Sequence, residues 1–185
     1  MIPYISFLRG INVSGKNKIK MEVLRELYTS LGLHHVSTYL QSGNVVFTAS
    51  KKKAAALEKE ISSAIEQQLG LQVPVLVRTL EQLNELILQN PYIGETEKNL
   101  AFLHVTLLSG EGALTDKHLL SIANKKLPDE EAQLKATTVY LYCPHGYGTT
   151  KLHNNFWETQ LKQTATTRNW KTINELARIA NSLTS

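Results

Sequence analysis

VSTYLQSGNVVFT, residues 36–48, decides the fold. Two runs of strand-forming residues flank Ser42-Gly43, a pair suited to a tight turn, so the stretch predicts a β-hairpin. On its N-terminal side, Met21, Leu24, Leu27, Tyr28 and Leu31 recur at intervals of three and four. That spacing puts them on one face of a helix, and Gly32 ends it. Further back, YISFL (residues 4–8) is an apolar strand, separated from the helix by a polar loop from Arg9 to Lys20. On the C-terminal side, Lys51–Lys53 open a second helix carrying Leu57, Ile61, Ala64 and Ile65 on one side, with Gly70 as its C-cap. QVPVLV (72–77) follows as a strand, and Pro74 assigns it to a sheet edge because proline cannot donate to a ladder. The order is β-α-β-β-α-β, that of a ferredoxin-like plait.

In the remainder the order β-α-β-β-α recurs. Thr79 and Gln82 form a capping-box signature for a third helix, which Asn90-Pro91 ends, and GETEKN leads onward. Residues 100–107 are expected as a strand, 115–126 as a helix capped by Thr115, 132–136 and 138–143 as a hairpin, and 150–162 as a helix. A last helix from Thr172 carries Ile173, Leu176, Ala177 and Ala180 on one stripe, with a capping box from Thr172 and Glu175. The expected fold class is α+β, with duplicated ferredoxin-like (βαββαβ plait) units and an extra C-terminal helix. The expected division is 1–78, a linking helix and loop at 79–99, and 100–185, within one compact protein.

Strand alternation assigns Ile5, Phe7, Val36, Leu40, Val45 and Phe47 to the helix-covered face of the first sheet. Tyr4, Ser6, Tyr39, Gln41, Asn44 and Val46 fall on the other. In the second unit Phe102, His104, Thr106, Tyr140 and Tyr142 form the less apolar face. Such faces either pack together or line a cleft.

Composition narrows the function classes. The 185 residues are 42% hydrophobic and 19% charged, which suits a globular chain rather than a disordered one. A net charge of +4 permits an anionic partner without requiring one. Cys143 is the sole cysteine, so no internal disulfide forms and a reducing, cytoplasmic compartment is expected. MIPYISFLRG lacks a basic segment followed by a long apolar run, and no stretch is long enough to span a membrane.

Gly10-Ile11-Asn12-Val13-Ser14-Gly15-Lys16-Asn17 matches the phosphate-cradling G-x-x-x-x-G-K pattern except at its last position, where Asn17 replaces the magnesium-holding Ser or Thr. The following helix starts too late for its amides to meet a phosphate held by Lys16. A looser role remains: Arg9, Lys16, Lys18 and Lys20 on flexible backbone can receive a phosphate or carboxylate, or can form a solvated basic loop. In Thr166-Thr167-Arg168-Asn169-Trp170, Arg168 offers a planar fork for an anion, Trp170 a stacking face and Asn169 an Asx turn. The alternative makes Trp170 a hydrophobic staple and Arg168 half of an ion pair. Gln41-Ser42-Gly43-Asn44 and Gly146-Tyr147-Gly148-Thr149-Thr150-Lys151 are accounted for by turn and cap chemistry, though either could touch a ligand. The six histidines show no metal-ligand spacing, so no metal site is expected.

RGINVSGKNKIKM (9–21), TYLQSGNVVF (38–47), YGTTKLHNNFWE (147–158) and ATTRNWKTINELARIA (165–180) resemble, in order, the signatures of the bacterial domain of unknown function 1697 family. The resemblance implies a small cytoplasmic protein with a duplicated plait-like fold and no established activity. Ser14 and Lys20 depart from it where glycine and proline are expected. Arg9, Asn12, Lys16, Asn44, Arg168, Asn169 and Trp170 match family positions and form the candidate ligand-binding site.

The leading expectation is a protein, enzyme or not, that binds a small anionic ligand such as a nucleotide or phosphorylated metabolite. Binding of RNA or single-stranded nucleic acid through uncovered Tyr4 and Tyr39 is one alternative. A structural or oligomerisation protein is another. No reaction or cofactor is specified. One geometric expectation weighs against a single site: with strands one and three taken as parallel, the Arg9–Lys20 loop and the Ser42-Gly43 hairpin fall at opposite ends of their sheet.

Overall fold

In a computed structural model, which describes residues 1–13 and 15–184, the chain is a mixed α+β protein. The described residues hold two four-stranded antiparallel sheets and six α-helices. The chain divides into two compact units, Met1–Glu85 with the residues from Glu175 onward, and Leu86–Asn174. Ser14 lies outside the described residues.

The first unit runs β1 (Ile2–Leu8), α1 (Met21–Ser30), β2 (His34–Tyr39), β3 (Asn44–Ala49), α2 (Ala54–Leu69) and β4 (Val75–Thr79) into α3 (Leu80–Leu88). Its strand order is β2-β3-β1-β4, so Pro74 does precede an edge strand. The Thr79–Gln82 capping box forms in both directions, at 3.0 and 3.2 Å. β1 pairs antiparallel with both neighbours, with Ile5 opposite Val46 and Arg78.

That register corrects two expectations. Residues directly opposite one another share a face, so Tyr4, Ser6, Val45, Phe47 and Val77 face the helices. Ile5, Phe7, Asn44, Val46 and Leu76 lie on the other side. The Tyr4 ring stacks on Phe47 at 5.7 Å. Its hydroxyl donates to the Lys52 carbonyl at 2.9 Å and accepts from the Lys52 amide, securing the approach to α2. Ser6 shares a 2.7 Å hydrogen bond with the Tyr28 hydroxyl of α1. Burial raises the Tyr28 phenol above its ordinary pKa, and the Ser6 bond only partly opposes this. Alternation misled because Ile5, Phe7 and Val46 are as buried as the helix-facing set. A strand buried on both faces carries no polar side to read. Leu40 is not a strand residue at all: it sits in the turn with φ 58° and is 55% exposed.

The second correction concerns strand direction. β1 and β3 are antiparallel, so the end of one meets the start of the other. The Leu8 amide donates to the Gly43 carbonyl at 2.8 Å. The basic loop and the hairpin turn therefore lie at the same end of the sheet.

The second unit contains β5 (Leu103–Leu108), α4 (Asp116–Lys125), β6 (Glu131–Lys135), β7 (Thr138–Tyr142), α5 (Asn154–Leu161) and β8 (Ala165–Asn169), followed by α6 (Trp170–Asn181). A 3-10 turn at Leu100–Phe102 takes the expected start of β5. Thr115 caps α4 as expected, with His118 as its capping-box partner. The strand order β6-β7-β5-β8 repeats that of the first sheet position by position. β8 was not expected, because its threonine-rich ATTRN has no apolar alternation. α6 starts two residues before Thr172, whose amide donates to the Asn169 side chain at 2.8 Å.

Here too the register reassigns faces. Val105 lies opposite Tyr140, and Thr106 opposite Val139. Tyr140 therefore shares its side with Val105 and Leu107, whereas Thr106 faces the helices. Leu108, Val139, Leu141, Cys143, Leu152 and Trp157 form that helix-side core. The Trp157 indole donates to the Leu152 carbonyl at 2.8 Å, so its one polar group is satisfied while the ring is fully buried.

Two outcomes check this packing. A Cβ at Gly43, where φ is +74°, would stand 2.7 Å from Leu8 Cβ and 2.8 Å from Ile11 Cδ1. At Gly70, with φ +67°, it meets nothing within 4 Å. In chemical denaturation Gly43→Ala should cost about 3 kcal/mol or more, and Gly70→Ala about 1 kcal/mol; equal losses would contradict the close approach. Burial, then the Glu130 carboxylate, pushes the Cys143 thiol from 9.0 up to about 12 against a Thr150 hydrogen bond. The unfolded chain thus releases the thiol proton first as pH rises, so this thiol's contribution to stability falls between about 9 and about 12. At pH 8 alkylation should be at least about a hundredfold faster in denaturant than in the native protein. Rapid native labelling would contradict it.

Candidate functional site

The loop between β1 and α1 is held by backbone turns and by two asparagines. Gly10, Asn12, Gly15 and Asn17 all have positive φ, and asparagine tolerates that conformation better than most side chains. The Lys16 amide donates to the Val13 carbonyl at 3.0 Å, closing the tip. Asn17 Nδ2 donates to the Gly10 carbonyl at 3.2 Å.

Asn12 does the most. Its Oδ1 accepts from the Ile19 amide, and its Nδ2 donates to the Ile19 and Gln41 carbonyls, all at 2.9 Å. One side chain therefore staples the two ends of the loop and fastens both to the hairpin. Three hydrogen bonds use both donors and one of the two acceptor positions of the amide.

This junction borders an open cavity of about 590 Å³, lined by Asn12, Gly15, Lys18, Ile19, Lys20 and Gln41. α1 starts at Met21, directly after Lys20, and its N-cap makes no side-chain hydrogen bond. Helix N-terminal amides left without side-chain partners favour negative charge. Lys18 and Lys20 are both exposed, so the cavity is electropositive and accessible. Four residues separate Lys16 from α1, which does not fit the lysine-then-helix geometry of a nucleotide-triphosphate loop.

The seven candidate residues occupy different environments. Asn12 borders the cavity. Lys16 is exposed at the loop tip, and Arg9 is half-buried at the loop entrance, its amide bonded to the Pro74 carbonyl at 2.9 Å. Asn44 is fully buried, and its Nδ2 clasps the hairpin through the Tyr39 carbonyl and the Ser42 hydroxyl. Arg168, Asn169 and Trp170 belong to the second unit. Arg168 is 8% exposed, and its guanidinium donates to the Thr166 hydroxyl at 2.8 Å and the Thr167 carbonyl at 2.9 Å. Asn169 caps α6, and Trp170 is buried at its start.

A counterpart to Arg168 escaped the sequence. Arg78 lies opposite Ile5 as Arg168 lies opposite Val105. It is 9% exposed, and its Nη1 donates to the carbonyl of the residue before it, Val77, at 2.8 Å, as Arg168 does. Desolvation lowers its pKa, opposed by the Glu58 carboxylate 3.9 Å away. The shared dipeptide-level pattern, an arginine at the end of the last strand, was the one available signal.

Among the described residues no three His, Cys, Asp or Glu side chains gather as a metal site, and no helix is long and apolar enough to cross a membrane. No curated protein matches the chain. Among solved structures, the chain is similar to one described as the conserved bacterial protein SP0830 from Streptococcus pneumoniae. The two share 27% identity at a TM-score of 0.72, over 97% of this chain and 98% of that one. The family described as protein of unknown function, DUF1697, matches residues 1–140, a span that includes the phrases at 9–21 and 38–47; on that match the chain belongs to the DUF1697 family.

Proposed function

We propose that the protein binds a small anionic ligand, a nucleotide or phosphorylated metabolite, in the cavity at the start of α1. The observation that carries this reading is the set of groups around one accessible hollow: two exposed lysines, Lys18 and Lys20, beside an uncapped helix N-terminus. Each supplies N–H donors, and none is spent on a carboxylate among the described residues. A phosphate satisfies all of them at once. Asn12 gives the hollow its shape rather than its charge. Arg9 and Lys16 contribute to the local field. Arg168, Asn169 and Trp170 remain candidates through their match to family positions, although their polar groups already serve their own strand and helix.

Matching strand orders and the paired registers of Arg78 and Arg168 support two ferredoxin-like plaits derived by duplication, at 1–78 and 100–185 and joined by 79–99. A cytoplasmic setting agrees with a single thiol that is buried. Base stacking through Tyr4 and Tyr39 draws no support from Tyr4, which is 1% exposed and faces the helices, while Tyr39 is half-buried.

Titration of the protein with inorganic phosphate, pyrophosphate and ADP, followed by backbone amide NMR, tests the proposal. Amides of residues 15–24 should shift with each, and adenosine should leave them unmoved. Lys18→Ala and Lys20→Ala should each weaken binding about five- to tenfold, and added salt should weaken it further. Lys117→Ala on α4 should change nothing. Asn12→Ala should cost about 1–3 kcal/mol of stability and abolish binding by loosening the loop. Absence of shifts at about 10 mM ligand, or equal binding by the Lys18/Lys20 double variant, would overturn the reading.

A further inference from the structure

In the second unit, residues 93–99 form neither helix nor strand, and all of them but Lys98 are exposed. The segment is anchored at both ends. Tyr92 is buried on one side, and on the other the Phe102 carbonyl accepts from the Cys143 amide at 3.0 Å. Between these anchors the backbone bonds reach only to near neighbours. The Ile93 amide donates to the Asn90 carbonyl at 3.4 Å and the Lys98 amide to the Glu95 carbonyl at 3.1 Å. Asn99 Oδ1 accepts from the Ala101 amide at 2.9 Å.

Lys98 alone reaches further. Its side chain is 11% exposed, and its ammonium bonds to the Glu131 carboxylate of β6 and lies 3.3 Å from Glu95. The same ammonium stands over two rings, 4.7 Å from the centre of Tyr142 on β7 and 5.2 Å from that of Tyr92. Hydrogen bonding to Glu131 raises the Lys98 pKa, with burial opposing, so the side chain stays charged. Among the described residues, no other side chain of residues 93–99 makes a hydrogen bond, ion pair or ring contact beyond 90–102.

This hold is small. An ion pair to a carboxylate that is 44% exposed is weak by itself, and a cation over an aromatic face adds a modest amount. The conformational entropy lost in ordering the segment opposes closure. β5, directly after the segment, rests instead on burial: Leu103, Val105, Leu107 and Leu108 are each at most 1% exposed. A segment fastened so lightly to a strand fastened so firmly opens at a far lower free energy than the unit unfolds.

We propose that residues 93–99 are a latched strap, closed by Lys98 on Glu131 and Tyr142 and able to swing open while the sheet stays folded. Opening withdraws the cation from the face of Tyr142 and frees the Glu131 carboxylate. The device is independent of the anion cavity, whose residues belong to the first unit.

Cleavage of the full chain by a glutamate-specific protease under native conditions, followed by mass spectrometry, tests this, because Glu95 and Glu97 both lie in the strap. Lys98→Gln and Glu131→Gln should each speed cleavage there about five- to twentyfold, in proportion to the open population. The double variant should be no faster than either, because each change alone undoes the same contact. Lys98→Arg should restore most of the protection. Glu95→Gln should leave cleavage at Glu97 within about twofold of wild type, since that partner moves with the strap. Throughout, the β5 amides should keep their slow hydrogen exchange. Cleavage no faster in Lys98→Gln, or a strap still protected in Glu131→Gln, would overturn the proposal. So would loss of β5 protection in Lys98→Gln, which would make Lys98 part of the core rather than a latch.

Discussion

The antiparallel pairing of β1 with β3 is the constraint on which the first unit depends. With Ile5 opposite Val46, the side chains of both strands are sorted between two faces. The helix side then receives Tyr4, Ser6 and Phe47, whose ring stack and Ser6–Tyr28 hydrogen bond attach the sheet to α1 and α2. The same pairing brings the loop leaving β1 against the turn entering β3. Gly43 permits the backbones to close to contact distance, and Asn12 fastens the junction with three hydrogen bonds. The cavity beside Lys18 and Lys20 is a consequence of strand direction before it is a consequence of any loop motif.

Charge is divided by location. Arg78 and Arg168 are drawn into the last strands of their sheets, where each donates to its own backbone. Desolvating a guanidinium is costly, and those carbonyl and hydroxyl contacts offset part of the cost. Lys16, Lys18 and Lys20 stay in solvent, where they are free to meet a ligand and are subject to salt. The Arg168 guanidinium already donates to Thr166 and Thr167, whereas Lys18 and Lys20 are exposed beside the cavity.

The helices, hairpins and caps were legible because each has a local cause. The stripe of Leu24, Leu27 and Tyr28, the αL glycine after α2 and the Thr79–Gln82 box need no partner from elsewhere. Faces and directions were not legible. Ile5, Phe7 and Val46 are apolar on the side where polarity was expected, because that face is buried too. β8 escaped because ATTRN owes its strand conformation to pairing with β5, a nonlocal cause. Of the candidate site, the basic loop was visible as composition. The role of Asn12 was not, since it depends on the Gln41 carbonyl, 29 residues away.

The most direct test of this account is the solution environment of the Asn12 side-chain amide. Nuclear Overhauser contacts from its Nδ2 protons to Ile19 and Gln41, together with cross-strand contacts joining Ile5 to Val46, are predicted, with slow solvent exchange of those protons. A freely exchanging Asn12 amide without those contacts, or a β1–β3 register in which Tyr4 shares a face with Val46, would contradict it.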